Sequence, residues 1–211
     1  MPPIRVLLVD DHALFRHGVA SLLAAESGFE VVGEAADGQQ ALETARELMP
    51  DVILMDVSMP VMDGLEATRR IKAEMPYARI VVLTVSDGER TLFEAIRCGA
   101  EAYLPKMIDP QALYGTLRAV VRGEAPVSRL MATRLLEGFA RRDPASAPAT
   151  ELTVREKEVL EQVAQGRTNE QVAAALAIPE NAVKNHLKNV LEKLHLESLE
   201  RRARAAAPAL R

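Results

Sequence analysis

The sequence predicts an α/β front half, built as a doubly wound five-stranded parallel sheet, followed by a small all-helical rear half. Three observations carry this. Five short runs rich in Val, Ile and Leu punctuate the first 125 residues without polar alternation, as strands buried on both faces do. Stretches of helical period separate them, and strand–helix repetition of this kind closes into a parallel sheet. Residues 143–150 hold Pro144 and Pro148 and no bulky apolar side chain, which marks a linker.

The elements follow in order. Ile4–Val9 is the first apolar run. Phe15, Val19, Leu22 and Leu23 then fall at i, i+4, i+7 and i+8, one face of a helix. The next runs are Val31–Ala35, Val52–Asp56, Ile80–Thr84 and Ala102–Leu104. Leu113, Leu117, Val120 and Val121 repeat the helical spacing. Ser128 is placed to cap a further helix through Arg142, with Leu135, Leu136 and Phe139 on its apolar side. Beyond the linker, one helix is expected over Thr153–Gln165, stopped by Gly166. A second spans Asn169–Leu176 with Thr168 as cap, and a third spans Glu180–Leu194 after Pro179. The expected domains are residues 1–125, a linker region 126–150, and residues 151–211.

Composition narrows the function. Hydrophobic residues make up 48% and charged residues 27%, the range of an ordinary globular protein. No apolar run approaches the ~20 residues of a membrane helix, and the N-terminal residues lack a secretory pattern. The cytoplasm is the expected compartment, with no membrane partner. Cys98 is the single cysteine, so no intrachain disulfide forms. Residues 1–125 carry 19 acidic and 12 basic side chains, whereas residues 151–211 carry 9 and 10. An acidic front and a near-neutral rear imply different partners. No aromatic residue follows Phe139, so the rear half has no platform for stacking bases.

In a parallel sheet, ligands bind beyond the carboxyl ends of the strands. Here those ends carry Asp10 and Asp11, Asp56, Thr84 and Lys106. Three converging carboxylates repel one another unless a cation or proton intervenes. Oxygen donors without Cys favour a hard cation, Mg²⁺ before Zn²⁺. Mg²⁺ takes one or two carboxylates and a phosphate, which leaves one carboxylate free to attack phosphorus. Lys106 then supplies positive charge to phosphoryl oxygens and Thr84 a hydrogen-bond donor. For any one acid an alternative stays open: Asp10 and Asp11 can simply favour the start of the following helix. His12 belongs to helix-start packing or solvent on this reading, not to the ligand set.

The motifs Val9-Asp10-Asp11-His12, Asp56-Val57-Ser58-Met59-Pro60, Leu83-Thr84, Ala102-Tyr103-Leu104 and Lys106 resemble those of a bacterial response-regulator receiver domain, over residues 4–122. The resemblance implies that Asp56 is the phospho-acceptor. It implies that Asp11 and Asp56 bind Mg²⁺ with the Ser58 carbonyl, and that Asp10 acts through water. It makes Thr84 and Tyr103 a switch pair and gives Lys106 the phosphoryl contact. One departure is visible: the family often places proline after the lysine, and here Pro105 precedes it.

In the rear half, Val183, Leu187, Val190, Leu191 and Leu194 form an apolar stripe. Asn181, Lys184, Asn185, Lys188 and Glu192 form the opposite face. Such a face suits a helix in a major groove, or the solvated side of an ordinary bundle helix. The segments 152–160, 166–173 and 182–187 resemble a LuxR-type helix-turn-helix. Joined to a receiver domain, this is the pattern of the NarL/FixJ family. The resemblance implies a transcription regulator phosphorylated by a sensor histidine kinase. It implies binding to promoter DNA, with Lys184, Asn185 and Lys188 as base or phosphate contacts, and a homodimer when phosphorylated. After Glu197 the resemblance weakens, because Ser198-Leu199-Glu200-Arg201 replaces the usual opening of a fourth helix. An aspartate-nucleophile phosphatase is disfavoured, since its general acid would stand where Ser58 stands. An RNA-binding antiterminator is disfavoured by the lack of aromatic residues.

Overall fold

The computed structural model describes residues 2–85, 89–140 and 151–206, with side chains described except at 89, 90 and 196–206. Two compact units emerge, residues 1–88 with 98–126, and residues 89–97 with 127–211.

The first unit is organised by five parallel strands: β1 (Ile4–Val9), β2 (Phe29–Ala35), β3 (Val52–Asp56), β4 (Arg79–Thr84) and β5 (Ala102–Pro105). Their order is β2-β1-β3-β4-β5, the doubly wound arrangement whose switch point lies between β1 and β3. Helices α1 (Ala13–Ala25), α2 (Gly38–Leu48) and α3 (Gly64–Glu74) connect these strands and α5 (Pro110–Val121) follows β5; the connection α4 (Glu89–Cys98) falls largely in the second unit. Strand side chains of one parity, among them Val6, Leu8, Leu54, Val81, Leu83 and Leu104, join Val19 and Leu23 of α1 and Leu113, Leu117 and Val120 of α5 in one core. The other parity, with Leu7, Ile53, Met55, Ile80 and Val82, is also buried. Burial on both faces explains the unbroken apolar runs.

Local chemistry sets the helix starts. The Asp37, Asp63 and Asp109 side chains accept from Gln40, Glu66 and Gln111 backbone N–H groups at the starts of α2, α3 and α5. Pro110 opens α5, where a missing N–H costs nothing. β2 begins two residues before the expected Val31. Phe29 and Glu30 pair with Ile4 and Arg5, although exposed Glu30 breaks the apolar run at this sheet edge.

The second unit adds α6 (Arg129–Ala140), α7 (Val154–Ala164), α8 (Asn169–Leu176) and α9 (Glu180–Ala206). Ser128 Oγ accepts from Met131 N at the start of α6, as expected. The helix buries Met131, Ala132 and Leu135, while Leu136 and Phe139 are half-buried. Arg142 and the expected linker 143–150 lie outside the described residues. α6 packs along α7, and Arg129 Nε donates to the Ala164 carbonyl.

Thr153 and Thr168 each form a reciprocal capping box, with Glu156 and Gln171. Gly166 follows α7 with φ +86°, a left-handed turn that suits glycine. The third expected helix does not stop at Leu194 but continues to Ala206. Residues 195–206 contain neither Gly nor Pro and are rich in Ala, Leu, Glu and Arg, which sustain a helix. Among the described residues, no helix is long and apolar enough to cross a membrane.

Candidate functional site: an acidic pocket and a recognition helix

Asp10 follows β1 at the switch point. Its backbone N–H donates to the Ala35 carbonyl at 3.1 Å, and its Oδ1 accepts from His12 N at 2.9 Å. Asp56 is the last residue of β3, opposite Leu83 of β4. The next residue, Val57, donates to the Leu83 carbonyl and accepts from Gly64 N. Gly64 is obligatory here: a Cβ on it would lie 1.8 Å from the Asp56 carbonyl oxygen. Lys106 is anchored by its own N–H, which donates to the Thr84 carbonyl at 2.7 Å. Its ammonium reaches Asp10 Oδ2 at 2.6 Å and Asp56 Oδ1 at 3.1 Å, and stands 4.9 Å from the Phe15 ring centre.

Ligand atoms of Asp10, Asp11, His12 and Asp56 all lie within 4.8 Å of one another. Asp10 and Asp56 are buried, at 2% and 1% exposure. Lys106 is thus one ammonium shared between two buried carboxylates. Burial pushes the Asp56 carboxyl above its usual range, and repulsion from Asp10 adds to this. Hydrogen bonding and attraction from Lys106, with the Val57 N–H, pull partly the other way. Burial disfavours the Lys106 charge, yet Asp10 and Asp56 outweigh it and raise the lysine above its ordinary value. Excess buried negative charge presented by oxygen donors is a setting that a hard divalent cation fits.

Ser58 is exposed, two residues beyond Asp56. Thr84 and Tyr103 are buried, at 4% and 3% exposure. Tyr103 pairs with Val82, so it shares a sheet face with Thr84, opposite the one that packs on α1 and α5. His12, expected in helix-start packing or solvent and outside the ligand set, is exposed. It holds the N-cap position of α1 without capping it. Its Nδ1 instead lies 2.7 Å from Asp11 Oδ1 and 3.3 Å from Asp10 Oδ1.

In the second unit the apolar stripe of α9 is buried as expected: Val183, Leu187, Val190, Leu191 and Leu194. It packs on α7 and α8. Lys193 ties this base together, reaching Glu156 Oε2 at 2.6 Å and the Glu151 carbonyl at 2.9 Å. Burial works against the Glu156 charge, but hydrogen bonds from Lys193 and Thr153 outweigh it and hold the carboxyl below its usual range. The α8–α9 connection turns at Ala177, with φ +52°. On the outer face, Asn185 and Lys188 are exposed and Lys184 half-exposed. Lys184 pairs with Glu180 at 3.1 Å and Lys188 with Glu192 at 3.8 Å.

Comparison with known proteins agrees with this geometry. Residues 6–118 match the response regulator receiver domain, and residues 150–206 match the bacterial regulatory proteins of the luxR family. The chain is 40% identical to the nitrate/nitrite response regulator protein NarP of Escherichia coli K12, over 93% of this chain and 91% of that protein. It is 39% identical to the transcriptional regulatory protein LiaR of Bacillus subtilis 168, over 90% of each. The crystal structure of the response regulator ChrA of a heme-sensing two-component system is similar across 97% of this chain and 99% of that one, with 31% identity and a TM-score of 0.56. A helix-turn-helix unit and a receiver with an acidic pocket at its strand ends are thus joined in one chain, which belongs to the NarL/FixJ family of two-component response regulators, transcription regulators with a LuxR-type DNA-binding domain.

Proposed function

We propose that Asp56 is the residue this regulator uses to receive a phosphoryl group from a sensor histidine kinase. The observation that carries the reading is its placement: buried at the end of the central strand, beside Asp10, with Lys106 3.1 Å away. A carboxylate oxygen of Asp56 attacks phosphorus, the phosphorus–nitrogen bond of the donor histidine breaks, and the imidazole leaves with that electron pair. Lys106 neutralises the phosphoryl oxygens. Asp11 and Asp56, with the Ser58 carbonyl, would hold Mg²⁺, with Asp10 acting through water. The cation supplies charge neutralisation at the phosphoryl group. The chain forms and hydrolyses its own aspartyl phosphate and does not turn over external substrates.

Thr84 and Tyr103 are the proposed switch pair. The Thr84 hydroxyl binds the new phosphoryl oxygens and Tyr103 repacks beside it, so the two phosphorylation states differ in contacts. Residues 1–125 then act as the phospho-acceptor domain, 126–150 as the connection and 151–211 as the promoter-binding domain. Lys184, Asn185 and Lys188 face DNA from the exposed side of α9. A homodimer when phosphorylated matches two half-sites, as helix-turn-helix dimers do. The proposed compartment is the cytoplasm. Incubation with acetyl phosphate and Mg²⁺, read by intact mass, should add one phosphoryl group to the wild type and none to Asp56→Asn. Equal labelling of Asp56→Asn would remove Asp56 from this role.

A further inference from the structure

Arg16 of α1 divides its guanidinium between two places. Its Nε donates to Oε2 of Glu34, on β2, at 3.0 Å, and its Nη1 donates to the Asp10 carbonyl at 2.5 Å. The side chain is only 15% exposed. The pair between Arg46 of α2 and Glu74 of α3 uses the fork differently. There Nε and Nη2 meet both carboxylate oxygens at 2.7 Å, and both side chains are about half-exposed. Bidentate pairing is the geometry that a guanidinium and a carboxylate favour. Arg16 gives up half of it to hold one backbone carbonyl.

The partner of Arg16 is aimed by an irregularity in β2. Val6 pairs with Val31 and Leu7 with Gly33, so Val32 is an extra residue in the ladder. In a regular strand Glu34, three residues after Val31, would point to the opposite side of the sheet from Val31. With the extra residue Glu34 pairs with Leu8, and Val6, Leu8 and Val31 all belong to the face that packs on α1 and α5. Bulges are rare between parallel strands, and beside a functional site they re-aim a side chain.

The carbonyl that Arg16 takes belongs to the peptide between Asp10 and Asp11. A peptide is planar, so holding its carbonyl orients the plane from which both side chains branch. The other polar atoms of Asp10 are held as well: its N–H by the Ala35 carbonyl, Oδ1 by the His12 N–H and Oδ2 by Lys106. Glu34 balances the guanidinium charge, so the grip of Arg16 is geometric.

We infer that Arg16 is a positioning residue for the acidic pocket. Tethered by Glu34, it holds the Asp10–Asp11 peptide so that Asp11 meets Mg²⁺ directly and Asp10 through water. The inference rests on the reading of the pocket given above. Contacts of this kind, one shell beyond the ligands, set ligand orientation and with it metal affinity.

The test titrates Mg²⁺ into the full unphosphorylated chain and follows the amide NMR shifts of Asp11, His12 and Val57. It compares wild type, Arg16→Met, Glu34→Gln and Arg118→Met. Arg118 is the control: on α5 it pairs with Glu26 at 2.6 Å and lies 5.0 Å from the Phe29 ring centre, at the other end of the strands. The sign of the change is decisive. By charge alone, removing a cation beside acidic groups tightens Mg²⁺ binding, and Glu34→Gln weakens it. Loss of positioning gives the reverse pattern. The half-saturating Mg²⁺ concentration should rise about tenfold in Arg16→Met. Glu34→Gln, whose amide oxygen still accepts from Nε, should stay close to wild type, as should Arg118→Met. Acetyl phosphate labelling of Arg16→Met should be slow at the Mg²⁺ concentration that half-saturates wild type and recover at saturation. A half-saturation in Arg16→Met that is unchanged or lower would overturn the inference. So would an equal rise in Arg118→Met, which would make any loosening of these helices sufficient. Should Arg16→Met fail to fold, Glu34→Ala unties the guanidinium without removing it and should weaken Mg²⁺ binding; wild-type affinity in that variant would overturn the inference. A wild type whose pocket amides ignore Mg²⁺, or that acetyl phosphate leaves unlabelled, would defeat the reading of the pocket itself, and the inference with it.

Discussion

The two units handle charge in opposite ways. In the first, Lys106, Asp10 and Asp56 meet with side chains no more than 9% exposed. In the second, Lys188 and Glu192 meet with both side chains 57% exposed, and Glu180 beside Lys184 is 47% exposed. Attraction and repulsion are strong where water is excluded and weak where it is not. The pocket therefore stores an imbalance, more carboxylate than ammonium, which an incoming electrophile or cation relieves. The helix holds its lysines loosely, with each glutamate as a replaceable partner. A phosphate can take the place of Glu180 or Glu192 at little cost, whereas displacing Lys106 from Asp10 with no other cation in its place leaves a buried charge alone.

The contrast breaks first at the pocket floor. Gly64→Ala would drive a methyl group into the Asp56 carbonyl, an overlap with backbone that cannot rotate away. The expected cost is about 3 kcal/mol, read by urea unfolding, with loss of acetyl phosphate labelling. Wild-type stability in that variant would show that the β3–α3 connection is slack.

Glu156 sharpens it at the base of the second unit. Its carboxyl is held below its unfolded value by Lys193 and Thr153, which prevail over burial. An acid with a lowered folded pKa contributes stability that is present above its unfolded value, near 4.5, and is lost as pH falls through the folded value. Glu156→Gln should therefore cost about 1–2 kcal/mol at neutral pH, shrinking toward zero in acid. Hydrogen exchange of the α7 amides measures this. A pH-independent difference would mean that the cap geometry, and not the charge, sets the stability. Asp56 is displaced the opposite way, so its ionisation opposes folding where that of Glu156 favours it.

The smallest effects belong to the exposed lysines. Lys184→Ala and Lys188→Ala should each lower the salt slope of DNA binding by about one if they contact phosphate. Glu180→Ala and Glu192→Ala should slightly strengthen binding at low salt. Slopes unchanged in both lysine variants would leave that face to solvent.

Much of this contrast is legible in the sequence, for identifiable reasons. Val52–Asp56 reads as a strand because it is buried on both faces, and a buried strand has no polar interruptions. Asn169–Leu176 is found to the residue because Thr168 reads as its cap, and the structure adds Gln171 as the reciprocal partner. The early start of β2 is hidden by exposed Glu30. The extension of α9 is hidden because its apolar stripe ends at Leu194 while the backbone has no reason to stop. The Glu180–Lys184 and Lys188–Glu192 pairs follow four-residue spacings, whereas the sequence reading takes Lys184, Lys188 and Glu192 only as part of a polar face, for a major groove or for solvent. The turn of His12 toward Asp11 and the positive φ of Val61 leave no local mark. Each is set by groups distant in sequence or by loop closure, and neither period nor propensity registers them.

The account centres on one coupling: chemistry at the buried pocket controls the exposed helix. The direct measurement is DNA binding by the full chain, in Mg²⁺ at fixed salt, before and after acetyl phosphate, for wild type and Asp56→Asn. Promoter fragments selected from genomic DNA by the phosphorylated wild type serve as the target. The account predicts that phosphorylation tightens wild-type binding severalfold and leaves Asp56→Asn unchanged. A wild type that takes one phosphoryl group on Asp56 and binds these fragments no differently would contradict it.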